Sequence, residues 1–135
     1  MFARTPGAGS LYWLCTRDAS GAYLDGGGSY TLDVPQPVPA KLFWSITVYD
    51  ARTRSEIRAD QNQAAIRSLF ELADTPTDKA IRLYFGPQPP ADGGAEGRWI
   101  QTLPSVGWFV YFRIYGPEGP AFDGTWHLPD FQTAG

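Results

Sequence analysis

The stretch Trp108-Phe109-Val110-Tyr111-Phe112-Arg113-Ile114-Tyr115, stopped by Gly116-Pro117, decides the fold. It is dense in aromatic and β-branched side chains, the residues that suit a pleated strand. Because apolar side chains point both ways, the strand is expected to lie centrally in a sheet. Its one charge, Arg113, is the oddity: a guanidinium among Phe and Tyr should not be buried unpaired. A carboxylate partner is therefore expected, with Asp50 or Asp123 as the acceptor and a tyrosine ring for stacking.

Outward from this strand, the chain shows further alternating runs. In Leu42 to Asp50 the side chains of Leu42, Trp44, Ile46 and Val48 share one face, expected to be core, and Phe43, Ser45, Thr47 and Tyr49 share the other. That second face, two hydroxyls between two aromatics, reads as a strand face covered by another segment or as a shallow groove. Tyr30, Leu32 and Val34 alternate with Thr31 and Asp33, and Ile81, Leu83 and Phe85 alternate with Arg82 and Tyr84. Leu11 to Arg17 and Trp99 to Thr102 supply shorter runs.

The 15 Gly and 12 Pro punctuate these runs, the pattern of short strands joined by turns. Asp18-Ala19-Ser20-Gly21 suits a tight turn, and Pro35, Pro37 and Pro39 predict an extended edge or crossing loop. Gln61 to Phe70 is expected to form a short helix or a loop leading into a brief strand. Thr75-Pro76-Thr77-Asp78 breaks the chain again, and Gly86 to Arg98 is expected to be an irregular loop, mobile or draped over the surface. The fold expected is all-β and mainly antiparallel, a β-sandwich or jelly-roll-like domain with at most one or two short helices. One domain is expected over residues 1–135, with residues 1–10 as a flexible lead.

Composition narrows the function. Eleven Lys and Arg face 14 Asp and Glu, a net charge of −3, which leaves no basic excess for neutralising phosphates and disfavours nucleic-acid binding. Cys15 has no second cysteine to pair with inside the chain and reads as a small buried hydrophobe. Neither a secretory signal nor a run of about 18 apolar residues is evident, so the chain as it stands is expected to be soluble.

The search for chemistry returns little. A Ser-His-Asp hydrolase needs an imidazole beside an exposed nucleophile; His127 is the one imidazole, no Gly-x-Ser-x-Gly elbow exists, and His127 reads as a surface side chain beside Trp126. One His and one Cys cannot furnish a zinc set. Asp18 and Asp25 lack the spacing of a calcium loop and read as turn residues. Asp50, Asp60, Asp123 and Asp130 sit near aromatics and can in principle supply paired carboxylates, although Asp50 at a strand end is better read as accepting hydrogen bonds from backbone, Arg52 or Arg54. The candidate polar cluster is Arg113, Asp50, Arg54, Asp123, Ser45 and Thr47, with no metal and no cofactor expected.

Several ordered motifs carry a family resemblance. Leu24-Asp25-Gly26, Phe43-Trp44-Ser45-Ile46-Thr47-Val48-Tyr49-Asp50, Phe85-Gly86-Pro87, Trp99-Ile100-Gln101-Thr102, Arg113-Ile114-Tyr115-Gly116-Pro117 and Phe122-Asp123-Gly124-Thr125-Trp126 resemble, in that order, domain of unknown function 1214. The resemblance spans about Gly9 to Phe131, with Arg98 where family members often carry Asn. It implies a C-terminal β-sandwich or jelly-roll half that usually follows a partner domain, number 1254, and it brings no agreed catalytic residue; several members resemble exported proteins. The function expected is a binding or structural module that packs against a second domain or subunit, or that forms a homo-oligomer, with a small-molecule ligand possible. Part of a hydrolase at an interdomain cleft and a carbohydrate-binding module are the alternatives.

Overall fold

The computed structural model describes residues 2–7, 10–59, 63–73, 79–90 and 98–133, with the backbone alone for 2–7. Nine strands and one short helix follow in order. They are β1 (Phe2–Gly7), β2 (Ser10–Cys15), β3 (Tyr30–Val34), β4 (Ala40–Asp50), β5 (Ala65–Arg67), β6 (Ile81–Gly86), β7 (Trp99–Gln101), β8 (Trp108–Pro117), α1 (Gly119–Asp123) and β9 (Gln132–Thr133). The strands form a five-stranded sheet in the order β1-β2-β8-β4-β5 and a four-stranded sheet in the order β7-β6-β3-β9. All pairs are antiparallel except β6 with β7. The architecture is all-β and sandwich-like.

The central placement expected of β8 is observed, between β2 and β4. Alternation then sorts its side chains. Trp108, Val110, Phe112 and Ile114 turn inward with Trp44, Ile46 and Val48 of β4, Leu11, Trp13 and Cys15 of β2, and Ile66 of β5. The small sheet answers with Tyr30, Leu32, Val34, Ile81, Leu83, Phe85 and Ile100, all buried. Trp108 joins the layers: its ring stacks on Phe85 at 5.4 Å and meets Tyr30 and Phe131 edge-on at 5.5 Å. Offset-stacked and edge-to-face pairs of this kind add about 0.5–1.5 kcal/mol each beyond area burial. Phe112 is stacked on Trp44 at 5.1 Å and flanked by Trp13 and Trp126.

Several expectations are corrected. Phe2–Gly7, read as part of a flexible lead, is an edge strand paired residue by residue with β2 from Phe2↔Cys15 to Gly7↔Ser10; the backbone ladder, not an apolar pattern, holds it. Leu42, placed in the core by alternation, is 64% exposed. A register shift between Ala40 and Phe43 breaks the count of two at that end of β4. Of the alternatives for Gln61 to Phe70, the brief strand β5 forms. Residues 74–78, most of the 86–98 loop and Asp60-Gln61 lie outside the described residues.

Local chemistry explains the turns. Asp18 Oδ1 accepts from Ser20 N (2.9 Å), Ser20 Oγ (2.6 Å) and Ala22 N (3.1 Å), an Asp-anchored turn of the sort its position predicts. Gly26 marks a close approach: a Cβ there would fall 1.8 Å from the Leu103 carbonyl oxygen and 2.4 Å from that of Val106. The Gly26 carbonyl accepts the buried Thr102 hydroxyl at 2.8 Å. Cys15 is fully buried, its Sγ donating to the Arg17 carbonyl at 3.0 Å, and burial pushes the thiol pKa up. No helix among the described residues is long and apolar enough to cross a membrane.

Candidate functional site on the outer face of the large sheet

The second face of β4 and β8 is where the sequence outspends what folding needs. Strand pairing sets Phe43 opposite Tyr115, Ser45 opposite Arg113, Thr47 opposite Tyr111 and Tyr49 opposite Phe109, with Tyr12 of β2 opposite Arg113 on the other flank. These rings are only partly buried, whereas Ser45 and Thr47 between them are 7% exposed each. The covered face expected from the sequence is thus met at the hydroxyls and not at the aromatics.

The rings interlock. Phe43 stacks on Tyr115 at 4.3 Å and Tyr49 on Phe109 at 5.4 Å, while Tyr111 meets Tyr49 and Tyr12 edge-on at 5.4 and 5.3 Å. Arg113 lies in their midst, its guanidinium carbon 5.0 Å from the Tyr111 ring centroid and its Nη2 donating to Tyr49 Oη at 3.5 Å.

Arg113 has no carboxylate in ion-pair distance among the described residues, which corrects the expected pairing with Asp50 or Asp123. Parity is the reason for Asp50. It shares the inner-face register of Trp44, Ile46 and Val48 and pairs with Trp108, five positions along β8 from Arg113 and on the opposite face. Its carboxylate is spent locally, as the simpler reading had it. Oδ1 accepts from Arg52 N at 2.8 Å and Thr53 N at 3.4 Å, and Oδ2 pairs with Arg52 Nη2 at 3.2 Å. Arg52 thereby holds the Asp50 carboxyl below the usual carboxylate range. Asp123 ends α1, exposed, and accepts from Thr125 Oγ1 (2.7 Å) and Thr125 N (2.9 Å), which lowers its pKa. Of the six candidates the sheet brings Arg113, Ser45 and Thr47 together; Asp50 and Asp123 stand apart. His127 is exposed in the C-terminal segment, beside the buried Trp126.

Arg54 reaches this face from its end. The turn after β4 closes with Arg54 N donating to the Asp50 carbonyl at 2.8 Å and Asp50 N to the Ser55 carbonyl at 2.8 Å, and it holds Arg54 at φ 59°. Arg54, Ala51, Phe109 and Tyr111 line an open-sided cavity of about 310 Å³, whose lining also includes Leu14, Thr16 and the exposed Tyr23. Tyr23 is held by Arg17, which stacks over its ring at 4.3 Å and donates to its hydroxyl at 2.8 Å. Sequence reasoning missed Tyr23 and Leu14 here. The available signal was the aromatic content of both faces of β8.

The comparisons place the fold. A protein of Vibrio parahaemolyticus matches at 18% identity with a TM-score of 0.78, over 93% of this chain and 31% of that one. An uncharacterised protein from Burkholderia cenocepacia matches at 14% identity with a TM-score of 0.65, over 98% of this chain and 34% of that one. The chain thus spans about a third of the length of these structures, and at such identities the likeness is one of fold. No curated protein matches the chain. The model of a family described as a protein of unknown function, DUF1214, matches residues 9–119, and the chain belongs to that family.

Proposed function

We propose that this domain is a binding or structural module that packs against a partner domain or subunit through the outer face of its large sheet. One observation carries the reading: interlocked, partly exposed aromatic rings surround Arg113, a cation with no carboxylate partner among the described residues. Interface cores are enriched in Tyr, Phe and Arg and depleted in Lys, Asp and Glu. The outward-facing positions of β8, from Phe109 to Tyr115, and of β4, from Phe43 to Tyr49, match that composition. The partner surface that fits is flat and apolar around one carboxylate aimed at Arg113. The length of the solved relatives beyond the matched third is consistent with such a neighbour.

A second copy of the chain is the accessible probe. Sedimentation velocity over a concentration series is expected to show reversible self-association, and a hydrophobic dye is expected to bind the isolated domain. A monomer at every concentration that also binds no dye contradicts the proposal.

A further inference from the structure

The cavity at the Arg54 end of the sheet shares Phe109 and Tyr111 with the aromatic face, and its chemistry is specific. Among the described residues its lining holds a single charged side chain, Arg54, and no carboxylate. Among the described residues the Arg54 guanidinium has neither an ion-pair partner nor a hydrogen-bond acceptor. The remaining walls are apolar or aromatic apart from Thr16, with Phe109, Tyr111 and Tyr23 among the rings. Tyr111 and Phe109 are fixed by each other at 5.9 Å and by Tyr49, and Arg17 contacts the exposed ring of Tyr23. A volume of about 310 Å³ lies at the small end of ligand sites, right for a molecule of one or two rings.

The backbone adds a second sign. Arg54 at φ 59° occupies the left-handed region, where Gly or Asn is the undemanding choice. A long cationic side chain stands there instead, at the mouth of an apolar cavity.

We propose that this cavity binds a small carboxylic acid with a flat apolar body. Arg54 meets the carboxylate through its planar fork of donors, and Phe109, Tyr111 and Tyr23 flank the body. The site goes beyond the docking role, and it is tested with small molecules on the isolated chain, so either reading can fail without the other.

The experiment compares phenylacetate with its uncharged amide, phenylacetamide, by calorimetric titration of wild type, Arg54→Asn and Arg54→Lys. Asn tolerates the left-handed backbone, and matched melting curves confirm folding of each variant. Wild type is expected to bind the acid at least about tenfold more tightly than the amide, the worth of one charged hydrogen bond. Arg54→Asn is expected to erase that preference and Arg54→Lys to keep part of it. The proposal is overturned if neither compound binds, if acid and amide bind alike, or if the preference survives in Arg54→Asn.

Discussion

The two faces of β8 are made of nearly the same material and meet opposite fates. Trp108, Val110, Phe112 and Ile114 are at most 2% exposed. Phe109, Tyr111, Arg113 and Tyr115, each one residue along, stay partly open. A strand in a sandwich needs one apolar face to fold; the aromatic density of the other is surplus to that need. The inner face accounts for stability and the outer face is the one we propose for docking, and substitutions on the two should separate accordingly.

The largest effect is expected at Phe112, which is fully buried, stacked on Trp44 and flanked by Trp13 and Trp126. Phe112→Ala should cost about 3–5 kcal/mol, lowering the melting temperature by about 10 °C or more. A shift of a degree or two would break the assignment of the inner face.

Next comes Thr102, 0% exposed, whose hydroxyl donates to the Gly26 carbonyl at 2.8 Å. Thr102→Val keeps the shape and leaves that carbonyl short of a donor, at a cost of about 1–3 kcal/mol in denaturant unfolding.

A smaller effect depends on acidity. The Asp50 carboxyl is held below its ordinary value of 3.8, first by the hydrogen bond from Arg52. A depressed folded-state pKa gives stability that is full above the unfolded value and is lost as the pH falls through the folded one. The stability gap between wild type and Asp50→Asn should therefore be present at neutral pH and shrink below about pH 4. Unfolding titrations at several pH values check this, and a gap independent of pH would contradict it.

The smallest effect is expected at Arg113. With no carboxylate to abandon among the described residues, Arg113→Met should change stability by about 1 kcal/mol or less. Had the expected Asp50 pair existed, the same change would have stranded a buried charge.

How much of this was legible in the sequence follows from which interactions are local. Alternation is local, so Tyr30 to Val34, Ile81 to Phe85 and the interior of β4 and β8 could be read directly, as could the turn at Asp18 and the local bonds of Asp50. Leu42 could not, because the register shift beside it is set by pairing with β8 across the sheet. The parallel pairing of β6 with β7 and the edge strand at Phe2–Gly7 are likewise decisions of the ladder. At the candidate site, the sequence placed Ser45 and Thr47 on one face and flagged Arg113. It could not reveal that the carboxylates it proposed lie on another face or end. Tyr23 reaches the cavity from a hairpin distant from Arg54 in sequence, and no spacing rule anticipates that meeting.

The most direct test of the division between faces uses Phe43 and Tyr115, stacked at 4.3 Å on the outer face and absent from the cavity lining. Melting and sedimentation velocity of the double variant Phe43→Ser, Tyr115→Ser, measured beside wild type and Phe112→Ala, would separate folding from docking. The expected result is a melting temperature far closer to wild type than that of Phe112→Ala, since a cross-strand pair contributes about 0.2–1 kcal/mol, together with loss of the self-association expected of wild type. A double variant that melts as low as Phe112→Ala, or one that associates as wild type does, would contradict the account.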